Sequence, residues 1–321
     1  MQLFIDKYGI KLSIGNNRLC VERDEKAHAI HPSRLSAIHI FTPCTLTSPV
    51  AVWAAANGIA ILMYNGRGQV VARLWEPHFG SQAAIRIAQP GYCQSAAGPM
   101  LVKGWLLQKA LGQLQIHQRL APTAHSAKIK AKMQRLIDLL QAETGLNLDW
   151  MRRLEAMISR WHWTGIALAL RQQVLVAPRN LRPAKDRFNT LINYLYGTLY
   201  GLVEGCQIAA GLDPHISIMH RMDYNRPSLV FDMIEPFRPW ADAWAVDFFT
   251  AGLWKPGYAE EKAGGIMLTR EGKKNILTGW FAYLDERSPS PKKMIRRRDQ
   301  VQQACTTLAA NILKYYNQHQ K

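Results

Sequence analysis

The chain reads as an α+β protein, with a small β-rich N-terminal domain followed by a larger all-α domain. Three observations predict this. Up to about residue 78, apolar and polar residues alternate with period two. Beyond Pro90-Gly91 the apolar spacing becomes helical. At 321 residues the chain can bury one large core or two modest ones. The boundaries are expected at 1–78 for the β-rich domain, 79–94 for a linker and 95–321 for the helical domain.

The first strands lie in LFIDKYGIKLSIGNNRLCVER, where Gly15-Asn16-Asn17 supplies hairpin chemistry. Further strands are expected at Ala37–Phe41, Ile59–Tyr64 and Gln69–Leu74, the last two joined by an Asn65-Gly66-Arg67-Gly68 turn. Ser48–Asn57, with Pro near its start and an Ala-rich body, predicts a short helix. After the linker, Pro99–Gln118 and Ala127–Gln141 are amphipathic, and Asp149–Leu170 follows as a third helix. Asn189–Ala210 is a long apolar helix closed by Gly211. Ala241–Thr250 continues the helical part, Trp254–Gly265 is a polar connection, and Met294–Asn317 is a terminal helix.

Lys and Arg number 40 against 23 Asp and Glu, a net charge of +17, which attracts polyanions. The basic residues form three groups: Lys128, Lys130, Lys132 and Arg135; Arg179, Arg182, Lys185 and Arg187; and Lys292, Lys293, Arg296, Arg297 and Arg298. Single charge runs are ordinarily solvated faces; three together favour a nucleic-acid track. Five scattered Cys without a C-x-x-C pair point to a reducing compartment and neither a disulfide framework nor a zinc site. The N-terminus lacks a signal-peptide pattern and no uncharged run has membrane-spanning length, so a cytoplasmic protein with no membrane partner is expected.

The segment Asp186–Pro239 carries the chemistry. It places His220, Asp232 and Glu235 among Leu229, Val230, Phe231, Met233 and Ile234. Carboxylates three residues apart share a helix face, and in apolar surroundings they need a cation. Either a divalent ion or Arg238, three residues past Glu235, could supply it. Pro236 removes the backbone donor that would reach the Asp232 carbonyl, so the helix is expected to break just after Glu235.

The same segment resembles the CRISPR-associated integrase/endonuclease family, the first of the Cas proteins, which inserts spacers into CRISPR arrays. The matching residues are Arg182, Pro183, Lys185, Asp186, Asn189, Asn193-Tyr194 and Tyr196. They continue through Ala210-Gly211-Leu212-Asp213-Pro214, His220, Arg226, Ser228-Leu229-Val230, Asp232 and Glu235-Pro236-Phe237-Arg238-Pro239. Upstream, Glu155 matches the family's earlier acidic ligand, with Arg160 and Trp163 in register. The chain departs from the family pattern at Ala156, at His162 and at Ser217-Ile218-Met219 before His220, none of which is an implied ligand.

The resemblance implies a metal held by Glu155, His220 and Glu235, with Asp232 as a further ligand or outer carboxylate among the catalytic residues. Oxygen-rich ligation with one imidazole suits Mg2+ or Mn2+ better than zinc. It further implies a dimerising N-terminal domain, a helical catalytic domain, double-stranded DNA (prespacer and CRISPR repeat) as substrate, and a small second Cas protein bridging two integrase dimers. Arg238 and Arg221 are candidates to clamp phosphate, with Arg182, Lys185 and Tyr200 as further DNA contacts. The expected reaction is attack of a 3′-hydroxyl on the repeat; water in its place would give endonuclease cutting. A metal-dependent nuclease or transposon-type integrase outside CRISPR, and a non-enzymatic basic nucleic-acid-binding protein, are the alternatives.

Overall fold

A computed structural model describes residues 2–5, 7–35, 37–65, 70–74, 82–120, 122–170, 179, 183–262, 264–290 and 293–319. The chain separates into two compact units, Met1–Gly80 and Ser81–Lys321. The first is β-rich and the second mostly helical, as the residue patterns predict.

The N-terminal unit contains β1 (Gln2–Ile5), β2 (Lys11–Gly15), β3 (Arg18–Arg23), β4 (Lys26–Ile30), β5 (Ala37–Ile40), β6 (Thr45–Leu46), α1 (Ser48–Ala56), β7 (Ala60–Tyr64) and β8 (Val70–Leu74). They form two four-stranded sheets, β1-β5-β7-β8 and β4-β3-β2-β6. Asn16 and Asn17, at φ +48° and +55°, make the left-handed two-residue turn that matches strand twist. A second such turn at Asp24 and Glu25 adds β4, which the sequence reading lacks. Ile5, Leu12, Leu19, Ile38, Val50 and Ile61 fill the core, and Trp53 of α1 donates its indole N–H to Asn17, fastening the helix to the first hairpin. Residues 66–69 of the second expected turn lie outside the described residues.

The helical unit runs α2 (Gln82–Gln94), α3 (Ala97–Arg119), α4 (Ser126–Ala142), α5 (Leu148–Leu170), α6 (Arg187–Ala209), α7 (Ser228–Met233) and α8 (Arg238–Thr250). The hairpin β9 (Ala259–Lys262)/β10 (Gly265–Leu268), α9 (Arg270–Asp285), the hairpin β11 (Arg287–Pro289)/β12 (Met294–Arg296) and α10 (Arg297–His319) complete it. Four readings need correction, one of them the terminal helix expected from Met294, since Met294–Arg296 pair with Arg287–Pro289 as a strand and the helix starts at Arg297. Residues 82–94, expected as linker, are a helix with Pro90 inside it, because Ile85, Ala88 and Tyr92 bury one helical stripe and outweigh the Pro-Gly break. Trp254–Gly265 is not merely a connection but contains one arm of a hairpin. Helix α9 was absent from the reading, although Thr269 caps it and Ile276, Leu277, Trp280 and Leu284 are buried along it.

Helices α3, α4 and α5 share a core in which Val102, Leu106, Ala110 and Leu114 repeat every fourth residue of α3. Of these, Val102, Leu106 and Leu114 each contribute about 1.5–3 kcal/mol of burial. A second buried stripe of the same helix is polar: Lys109, Gln113 and His117. That stripe faces the start of α8 closely, since a Cβ on Gly112 would lie 2.8 Å from Pro239 Cβ and 2.9 Å from its Cγ. Gly112→Ala is therefore expected to lower stability by about 1–3 kcal/mol through overpacking. Urea denaturation of the variant beside the parent chain measures this.

Candidate active site

The site begins where α7 fails to continue. Pro236 has no N–H to extend the ladder, so Glu235–Phe237 form one 3-10 turn before α8 starts at Arg238. Asp232 and Glu235, three residues apart, consequently serve different partners.

Asp232 is fully buried and turned onto the preceding loop. Its Oδ2 accepts from the backbone N–H of Ile218 (2.7 Å) and Met219 (2.9 Å). Its Oδ1 accepts from the His220 backbone N–H (3.0 Å) and faces the imidazole Nδ1 at 2.6 Å. With its acceptor capacity used by donors, Asp232 orients the ring so that Nδ1–H donates and Nε2 keeps its lone pair. The geometry suits an outer carboxylate that fixes a ligand, rather than a ligand itself.

The loop bearing His220 is also tied from behind. Gln89 of α2, wholly buried, donates to the Asp213 and Ile216 carbonyls and accepts from Asp213 N–H. Arg152 of α5 donates to the Met219 carbonyl, Ser217 Oγ to the His220 carbonyl at 2.5 Å, and Ser228 Oγ to the Arg221 carbonyl at 2.8 Å. Sequence reasoning passed over Gln89 because its partners are backbone atoms more than a hundred residues away.

Glu235 meets Glu155 through a lysine. Lys109 Nζ of α3 contacts Glu155 Oε1 and lies 2.7 Å from Glu235 Oε2. Ser159 Oγ also donates to Glu155 Oε1, and Arg238 Nε donates to Glu235 Oε1 at 3.0 Å. Burial alone would raise the Glu235 pKa, but Arg238 and Lys109, with a smaller contribution from His220, bring it below the ordinary value. Burial disfavours the charged form of Lys109 in turn, yet Glu235 and Glu155 raise its pKa overall. At 2.7 Å the Lys109 ammonium pairs closely with Glu235 Oε2 and helps keep that carboxylate ionised.

Two carboxylates, Glu235 buried and Glu155 partly exposed, and an imidazole with Nδ1 already engaged fit the donor chemistry of a hard divalent ion. They do not yet converge on one. Among the described residues, no three His, Cys, Asp or Glu side chains are gathered closely enough to hold a metal, and the group between Glu155 and Glu235 is Lys109. A lysine inside the apolar repeat of α3 was the available sequence signal for it, since a buried ammonium needs a carboxylate.

Arg238 is less open than a phosphate clamp would be. Besides Glu235 it donates to Tyr200 Oη at 2.8 Å and lies over the Tyr196 ring. Tyr196 donates to Asp242 at 2.5 Å, and Asp242 faces His162, which in turn meets His117 at 3.1 Å. Tyr196 is thus buried in a polar network and unavailable for base stacking, whereas Tyr200 packs edge-on against Phe231. Arg221 is 89% exposed, paired with Asp223. Lys185, also exposed, donates to the Gly264 carbonyl, and Arg182 lies outside the described residues. In the third basic group, Arg297 and Arg298 pair with Glu286 and Asp285 and so brace α10 against the end of α9.

A family profile described as CRISPR associated protein Cas1 matches residues 3–281. Among curated relatives, the CRISPR-associated endonuclease Cas1 1 of Thermus thermophilus is 25% identical over 282 residues, covering 86% of this chain and 84% of its own. The CRISPR-associated endonuclease Cas1 2 of Saccharolobus solfataricus is 24% identical over 302 residues, covering 92% and 90%. Among solved structures, a Cas1 protein from Thermotoga maritima superposes with TM-score 0.79 at 18% identity, over 98% of this chain and 97% of its own. A casposase bound to its integration product gives TM-score 0.79 at 16% identity, over 98% and 91%. Among the described residues, no helix is long and apolar enough to cross a membrane.

Two outcomes follow from this geometry. Asp232→Ala strands three buried N–H groups and the imidazole, and is expected to cost about 3 kcal/mol in urea denaturation, with Asp232→Asn costing less. His117 is held down to about 3 by burial, then by His162 and Lys130, against an ordinary 6.5. Above pH 6.5 neither folded nor unfolded His117 binds a proton. Below it only the unfolded chain does, so stability falls with pH by up to about 1.4 kcal/mol per unit down to about pH 3. Denaturation midpoints from pH 7 to 4 should show this fall, and His117→Gln should flatten it.

Proposed function

Because the chain belongs to the Cas1 family of CRISPR-associated proteins, we propose that it is a metal-dependent DNA integrase and endonuclease. It joins the 3′ ends of short DNA fragments to a CRISPR repeat by transesterification. The observation that carries this reading is the meeting of Glu155 and Glu235 at one cationic position, beside a His220 whose ring is fixed by Asp232. The curated relatives' names, and the shared fold of a protein solved with an integration product, support it.

Glu155, Glu235 and His220, through Nε2, would hold a divalent ion, Mg2+ or Mn2+ by donor chemistry. Such an ion supplies Lewis acidity toward a phosphate oxygen and the attacking hydroxyl. The chain's own residues do the positioning. Asp232 sets the imidazole tautomer, Arg238 keeps Glu235 ionised and aimed, and exposed Arg221 beside His220 grips substrate phosphate. Lys185 adds positive charge for double-stranded DNA, and Tyr200 holds Arg238 in place. In this reading the helical unit is the catalytic domain, the N-terminal unit forms the homodimer, and a small second Cas protein bridges two dimers. One solved relative is a complex that contains Cas2.

A transposon-type integration outside CRISPR is the second reading, favoured by the casposase likeness. Both use the same residues and differ in the DNA they accept. A strand-transfer assay separates them, using a short duplex with free 3′-hydroxyls and plasmids with or without a CRISPR repeat. Joining should require Mg2+ or Mn2+, fail in EDTA, and prefer the repeat plasmid. Glu155→Gln, His220→Ala and Glu235→Gln should each lower the rate by at least about 100-fold. Equal joining to both plasmids would favour the second reading, and DNA binding without metal-dependent chemistry would remove the enzyme reading.

A further inference from the structure

Lys109 lies between two of the three residues assigned as ligands without being one of them. Its stem is buried in α3, and its ammonium contacts both Glu155 and Glu235. We propose that Lys109 is a placeholder cation: its ammonium bridges Glu155 and Glu235 until a divalent ion takes the pair, and it withdraws for the ion to bind. The proposal rests on the reading of Glu155, His220 and Glu235 as ligands.

Charge counting supports it. Two carboxylates facing Lys109 and Arg238 are balanced, two negative charges against two positive. A divalent ion added with both cations in place would make four positive charges against two negative, in a buried site where like charges repel strongly. One cation has to move, and the surroundings identify which. Arg238 is held at once by Glu235, by Tyr200 Oη and over the face of Tyr196. Lys109 ends in a point charge on a flexible four-carbon stem and touches one oxygen of each glutamate. Departure of Lys109 frees an oxygen of each glutamate together, while Arg238 keeps Glu235 aimed.

The test compares Lys109→Met, which keeps length and loses charge, with the parent chain at one pH. Mn2+ affinity is read by calorimetry or by electron paramagnetic resonance of free Mn2+, and thermal melting is followed in EDTA and in Mn2+. Without the competing ammonium, the Mn2+ dissociation constant should fall about tenfold or more, because binding no longer has to break the Lys109 ion pairs with both glutamates. Melting in EDTA should drop, and the rise on adding Mn2+ should exceed that of the parent. If Lys109→Met folds only with Mn2+, that too is the expected behaviour, and Lys109→Gln provides the affinity measurement. Mn2+ affinity unchanged or weakened in both variants overturns the placeholder while leaving the ligand assignment standing. Mn2+ binding that survives Glu235→Gln in the parent chain overturns the ligand assignment and the placeholder with it.

Discussion

Two carboxylates drawn into a helical interior repel each other and lose their hydration, so they persist there only with positive charge between them. Glu235 is in that position, with the partly exposed Glu155 at the same lysine, and several features of the helical unit bear on how their charge is met. The break at Pro236 turns Glu235 toward α3, and the close passage of Gly112 over Pro239 brings α3 near enough for Lys109 to reach both acids. Arg238, the first residue of α8, takes the remaining side of Glu235. A well-packed apolar cluster of equal volume would often be at least as stable as such a network. Its presence therefore speaks for a use of the charges rather than for stability.

The neighbouring Asp232 shows the opposite solution. It too is an acid without exposure, but backbone N–H groups and one imidazole satisfy it, with no lysine or arginine among its hydrogen-bond partners. The two acids thus divide the work: one shapes a loop and orients a ring, while the other keeps charge available. Arg238 links the second to a further buried set, through Tyr196 and Asp242 to His162 and His117. His162, a departure from the family's aromatic pattern, stands inside that set as the partner of Asp242.

Much of this was legible in the residues. The alternation before residue 78, the apolar run of α6 with Gly211 at its end, and the break after Glu235 are local properties, and local rules find them. His220, Asp232 and Glu235 stood out because polar groups in apolar company need partners. The partners themselves were not legible. Lys109 is more than a hundred residues from Glu235, and Gln89 bonds to main-chain atoms that leave no trace in side-chain pattern. Helix α2 was hidden by Pro90-Gly91, since tertiary burial of Ile85, Ala88 and Tyr92 outweighs a local breaker. Helical spacing puts Asp232 and Glu235 on one face, but the intervening change of helix type gives them separate partners.

The fastening of the His220 loop has a kinetic meaning as well. Gln89, Arg152, Ser217 and Ser228 hold its backbone, and Asp232 holds its ring. The torsional freedom of that imidazole is lost while the chain folds, not at each encounter with a DNA end. In the proposed reading, an arriving strand then meets a ring already in its working orientation, and the entropic part of the barrier associated with that residue is absent from every turnover.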